Sequence, residues 1–239
     1  MNKRTYNRTN EVNKYSGYFK TLSGGIAAAG FANDEKMIFL ISSGFFLAGL
    51  LVSTRLPNTL SEKQLERDAI QRVIIKNKFL FSSLLMRHIG ATAVWTVLPI
   101  MLMDLMGAKL YEISIVYVAN TLTAFVVMNL MATRINIKNI TKFKIGIGLT
   151  TLVFVGFTII SQWWMAMPFM ALVGLTWAFL FVGGHFHLMK HNPKSTSTGI
   201  FSSTVSIASV VGPVIAGSIA FLFDYVAVMY FAIVIIICA

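Results

Sequence analysis

Residues 79–99 read FLFSSLLMRHIGATAVWTVLP, and the length of this run decides the fold class. A helix rises 1.5 Å per residue, so about 20 apolar residues cross the roughly 30 Å hydrocarbon layer of a bilayer. This run is long enough, and only one obligate charge, Arg87, interrupts it. In lipid every backbone N–H and C=O needs a partner within the chain, so a segment of this kind is a helix.

Working outward, the same pattern recurs along the chain. Of its 239 residues 56% are hydrophobic and 12% charged, against about 25% charged in soluble domains. The mean hydropathy of +0.72 leaves too few polar side chains to cover a 26.5 kDa globule in water. Spans are expected at roughly 37–56, 79–103, 111–133, 145–161, 163–189, 198–222 and 225–239. Residues 145–189 are too long for one span; Ser161-Gln162 divides them, with Trp163 and Trp164 at the interface that aromatic residues favour. An eighth span is expected at 17–33, where Gly24, Gly25, Ala27, Ala28, Ala29 and Gly30 suit close helix packing.

Charge sets the expected topology. Lys3, Arg4, Arg8, Lys14 and Lys20 precede the first span, six basic residues lie in 55–78, four in 134–144, and Lys190 and Lys194 in 190–197. The alternate loops hold only Lys36 and Lys109, beside Asp34, Glu35, Asp104, Glu112 and Asp224. By the positive-inside rule both termini are cytoplasmic. The net charge of +11 is therefore spread over short loops, which argues against a nucleic-acid face. The single cysteine, Cys238, excludes a disulfide framework, and the polar first twenty residues lack the apolar core of a secretion signal. No phosphate-binding glycine loop is present, so transport would run on gradients. The loop from Pro57 to Lys78 mixes charges and is expected to form a surface helix. It divides residues 1–56, with two spans, from a six-span bundle over 79–239.

This pattern resembles the major facilitator superfamily. Residues 23–57, SGGIAAAGFANDEKMIFLISSGFFLAGLLVSTRLP, resemble that family's helices five and six, including the Leu-Pro that leads into its central cytoplasmic loop. Residues 198–217 resemble helix eleven, with Gly199, a serine-rich face, Gly212-Pro213 and Gly217. NLMATR, residues 129–134, stands where the family repeats its Gly-x-Leu-x-Asp-Arg loop motif. Leu130 and Arg134 are kept, Asn129 replaces the glycine and Thr133 the aspartate. The resemblance implies an all-α membrane protein, a helix bundle of about eight spans from a twelve-helix fold. Helices one to four have no counterpart, so the chain reads as a fragment, a truncated reading frame or one part of a split gene, in which last case the missing helices are a separate chain. A neighbouring reading frame that encodes four apolar spans would favour a transporter over a non-transporting subunit.

Arg87 is the foremost candidate for substrate binding. A central arginine costs at least about 2.5–3.5 kcal/mol on insertion scales, so it faces a cavity or a partner unless it snorkels to the interface. The resemblance places helices seven and ten at the central cavity, which adds Trp95, one helical face above Arg87, and Trp177. His88 titrates near neutral pH or packs through hydrogen bonds, and Asn120 touches substrate or bonds across helices. Ser202, Ser203, Ser206, Ser209 and Gly212 are expected to bring helix eleven close to its neighbours. His187 and His191 have a metal-like spacing, but Asn192-Pro193 ends the helix and no acid completes a site, so no metal is expected. No carboxylate lies in mid-span, and Asp104 and Asp224 fall at solvated span ends.

The expected function is a secondary transporter in the cell membrane that moves a small solute by alternating access, without a cofactor and without enzymatic chemistry. The alternative is a non-transporting membrane subunit or scaffold that binds other helices through its small-residue spans. In either case the bilayer is a partner and nucleic acid is not.

Overall fold

The computed structural model describes residues 67–133 and 137–239, together with residues 43, 44, 47, 48, 50, 51 and 54. The expected span at 17–33, most of that at 37–56, and Arg134 of the loop motif lie outside the described residues. Among the described residues all regular structure is helical. The helices are α1 (Arg67–Lys76), α2 (Lys78–Met106), α3 (Leu110–Thr133), α4 (Asn139–Phe157), α5 (Ala166–His191), α6 (Lys194–Leu222) and α7 (Tyr225–Ile237). A 3-10 turn, Trp163–Met165, leads into α5. Helices α2 to α6 are long and apolar enough to cross a membrane, the signature of a membrane protein. The thirteen residues of α7 reach only about 20 Å, short of a full span, where the sequence led us to expect one at 225–239.

The helix ends follow local chemistry. Gly107 takes the left-handed conformation with φ of 64° and ends α2. Its N–H donates to the Met103 carbonyl at 3.1 Å and that of Ala108 to Leu102 at 3.0 Å, the pairing that satisfies the last turn. Four residues later Glu112 reaches back to accept from the Lys109 N–H at 2.7 Å and opens α3. Asp224 caps α7 by accepting from the Ala227 N–H at 2.6 Å, while Tyr225 donates to Asp104 at 2.6 Å and ties α7 to α2. The two span-end aspartates thus hold helix ends together. Asn192-Pro193 separates α5 from α6 as the sequence implied. Helix α4 departs from expectation: it begins at Asn139, takes in Lys142 and Lys144, and ends at Phe157. A basic first turn lowers hydropathy without opposing helix formation, because lysine is a good helix former.

Seven residues before the end of α2, Pro99 has no N–H to give, so the Trp95 carbonyl loses its helical donor. The Tyr117 hydroxyl of α3 donates to that oxygen at 3.2 Å. A side chain from the next helix therefore repairs the break, as a layer without water demands.

The bundle is built crosswise from two helix triplets, α2–α4 and α5–α7. Helix α2 packs on α6 and α7 of the second triplet, and α5 packs on α3 and α4 of the first. Helices α4 and α7 also meet. Exchanging α2 with α5, α3 with α6 and α4 with α7 maps these contacts onto one another. An odd number of helices per triplet makes consecutive triplets run in opposite senses.

Small residues set the closest approaches. A Cβ on Gly212 of α6 would lie 2.7 Å from the Ile89 carbonyl oxygen of α2, and one on Gly174 of α5 would lie 2.9 Å from the Ala124 nitrogen of α3. Beside Gly212, the Thr92 hydroxyl lies 3.0 Å from the Ala208 carbonyl across the same interface. Association in lipid relies on such packing because the hydrophobic effect does not operate between helices there. Gly212 fulfils its expected role, but the serines do not share it. Phe201, Ala208, Gly212 and Ala216 form the buried face of α6, whereas Ser202, Ser203, Ser206 and Ser209 are exposed. The outer face of α3 is likewise apolar and open, with Ile115, Val118, Leu122 and Val126 exposed. The expected surface helix exists as α1; Val73 is buried against the bundle while Ile70, Ile74 and Ile75 are exposed.

Two substitutions separate packing from propensity. Gly212→Leu is expected to lower stability by at least about 1–3 kcal/mol, because both the Thr92 hydroxyl and the backbone of α2 block it. Gly217, with open space around a Cβ, is expected to accept alanine and gain roughly 0.5–1 kcal/mol. Thermal unfolding of the purified variants in detergent measures both.

Candidate functional site

Arg87 lies nine residues inside α2, about 14 Å from the helix start at 1.5 Å per residue. Its exposure is 0%, so the guanidinium does not snorkel to an interface. Three helices enclose it. From α4, Thr150 receives the Nε–H at 3.3 Å on its hydroxyl oxygen, while its own hydroxyl donates to the Gly146 carbonyl at 2.7 Å. From α2, the His88 Nδ1 lies 3.5 Å from Nη1, which makes Nδ1 the acceptor because a guanidinium only donates. From α5, the Trp177 ring lies over the guanidinium, with 5.6 Å between Cζ and the ring centroid. Nη2 has no hydrogen-bond partner.

Among the described residues no carboxylate meets this charge. Asp104, Glu112 and Asp224 are engaged at helix ends, with Tyr225, the Lys109 N–H and the Ala227 N–H respectively. Five N–H donors thus share two long bonds and one aromatic face.

Four of the five candidate residues come together here. His88 is 4% exposed and lies between two indoles, with centroid distances of 5.3 Å to Trp177 and 6.3 Å to Trp95, edge-on to the latter. Trp95 is half-buried, and its indole N–H is a second buried donor without a partner. Asn120 stands apart: it is half-buried on α3, where its carbonyl faces Gly174, and no polar contact joins it to Arg87.

Sequence reasoning missed Thr150, Phe181 and His185. Along α5 the rings of Trp177 and Phe181 are 5.5 Å apart, and His185 stacks 4.5 Å from Phe181 and 4.3 Å from Phe201 of α6. The signal was present as an aromatic at every fourth position, 177, 181 and 185, which one helical face brings into line. The His185 Nδ1 is also buried without a partner. His187 and His191 lie one turn further on with ring centroids 5.3 Å apart, and no group of three metal-binding side chains occurs among the described residues. A hollow of about 460 Å³ between α2, α4 and α7 includes none of the candidate residues.

Comparison with protein-family models gives no match, and a search of curated proteins gives no relative.

An unpaired buried charge opposes folding, so removing it is expected to help. Arg87→Met, which keeps the length and loses the charge, is expected to raise stability by about 1–4 kcal/mol, as replacement of buried ionic groups often does. A fall in the unfolding midpoint of purified Arg87→Met protein would instead make the guanidinium a structural support.

Proposed function

We propose that this chain is part of a secondary active transporter of the major facilitator type that moves a small solute across the cell membrane by alternating access. The observation that carries this reading is Arg87: a fully buried guanidinium in mid-helix with an unpartnered Nη2 and no described counter-ion. Intramembrane charges of this kind mark substrate and ion pathways. The crosswise pairing of two triplets supports it, because three-plus-three inverted repeats build each half of such transporters. On this reading α2 and α5 are the cavity-lining helices seven and ten, and they carry Arg87, His88, Trp95 and Trp177. Asn120 on α3 would contribute from the side. Residues 79–239 form the C-terminal bundle, 57–78 the central loop, and 1–56 belong with the other half. Both termini are cytoplasmic, set by the basic loops.

Alternating access needs a site that both halves can close on, near the bilayer midplane. Arg87 stands nine residues into α2 and reaches α4 and α5 through Thr150 and Trp177. Occupation by an anionic group would give the charge its missing partner, and release would restore the deficit. The exposed serine face of α6 favours a second reading, a non-transporting subunit whose polar stripe docks another helix.

Flux separates the two. Reconstituted with any companion helices it requires, the protein is expected to take up a labelled solute into vesicles, and Arg87→Ala is expected to abolish uptake or change its selectivity. Unchanged uptake by correctly inserted Arg87→Ala protein removes Arg87 from the site, and co-purification with a partner but no flux favours the subunit.

A further inference from the structure

We propose that the Arg87–Trp177 corner binds a monoanion carrying a flat ring, an aromatic carboxylate in its simplest form. This names the substrate class of the site above and rests on the transporter reading for the ligand's passage, not for its binding.

Charge comes first. One guanidinium, 0% exposed, has a free Nη2 and no described carboxylate. A guanidinium keeps its proton in proteins, so the charge is met from outside the described residues, and one negative charge suffices. A second unpartnered atom, the Nε1 of Trp95, whose ring lies 6.3 Å from that of His88, is also an obligate donor. Both orphans ask for acceptors, which excludes an ammonium or amidinium ligand.

The ring requirement comes from the surroundings. Trp177 roofs the guanidinium at 5.6 Å, with His88 5.3 Å to one side and Phe181 5.5 Å along the helix. Trp95, Trp177 and Phe181 are each half-buried, so part of their ring surface stays uncovered. On the same helix Thr176 and Ala178 are buried on either side of Trp177, whereas Trp177 itself is only half-buried. Since Arg87 is covered, a ligand reaches Nη2 by taking the place of the indole. Its ring then supplies the aromatic face that the guanidinium loses, its carboxylate fills the Nη2 vacancy, and the displaced indole stacks on the ligand. An anion without a ring would surrender the cation–π contact to gain the ion pair.

The test uses the full chain in detergent with benzoate, its neutral isostere benzamide, cyclohexanecarboxylate, acetate and benzylamine as probes, read by thermal unfolding and tryptophan fluorescence. Benzoate is expected to raise the unfolding midpoint and change the fluorescence. Benzamide and benzylamine should do neither, and cyclohexanecarboxylate and acetate should need at least several-fold higher concentration. Arg87→Gln should lose the difference between benzoate and benzamide. Trp177→Leu should lose the difference between benzoate and cyclohexanecarboxylate, and Trp177→Phe should retain it. Each comparison is made within one folded variant, so a general loss of stability affects both probes alike. Absence of a benzoate response in the folded parent, an equal response to benzamide or acetate, or a response that survives Arg87→Gln overturns the proposal. Benzoate binding without flux of any solute leaves the site standing and removes the transporter reading. Flux of a neutral or cationic solute without benzoate binding does the reverse.

Discussion

A layer without water sets the terms for this molecule: every polar group inside it must find its partner in the protein. Hydrogen-bond donors left alone in hydrocarbon cost several kcal/mol by the order of magnitude for unsatisfied groups. The carbonyl freed by Pro99 is accordingly met by Tyr117 from α3. The Thr92 hydroxyl stays with the carbonyls of His88 and Ala208 and marks the α2–α6 interface. Where no polar group is involved, contact depends on shape, and the glycines at 174 and 212 let backbones meet. The crosswise triplets follow from these contacts, because α2 and α5 each carry faces that fit the other triplet better than their own.

Arg87 is the charged group, among the described residues, at which the rule is not met. Its neighbours supply a hydroxyl oxygen, an imidazole nitrogen and a ring face, which hold the guanidinium in place without neutralising it. A site that only needed stability would have a carboxylate there or an apolar side chain. The molecule instead retains a positive charge in mid-bundle under a half-exposed indole. That arrangement is poor as architecture and well suited to receiving an anion, and the functional reading rests on this difference.

Much of the fold was legible because bilayers impose lengths. Runs of about 20 apolar residues and the breaks at Ser161-Gln162 and Asn192-Pro193 separated α4, α5 and α6. The boundaries of α4 were not legible, since hydropathy records where lipid ends and a helix continues past that point. The serine face of α6 misled for a related reason: small polar residues fit close packing, but so do alanine and glycine, and Ala208, Gly212 and Ala216 took the interface. Arg87, His88, Trp95 and Trp177 stood out as rare residue types in apolar runs. Thr150 and Phe181 did not, because threonine and phenylalanine are ordinary in a span, and His185 was passed over for the spacing of His187 and His191. Only the crossing of α2, α4 and α5 gives Thr150 its place beside the guanidinium.

The central claim is that the buried Arg87 charge has no counter-ion among the described residues and stays unneutralised, and a double-mutant cycle with Thr150 tests it most directly. Thr150→Asp puts a carboxylate where the hydroxyl now meets Nε. The account predicts that Thr150→Asp raises the unfolding midpoint of the parent protein and lowers it in an Arg87→Met background, where the new carboxylate is itself unpaired. An equal change in both backgrounds would contradict it, because the guanidinium would then already be neutralised by another group.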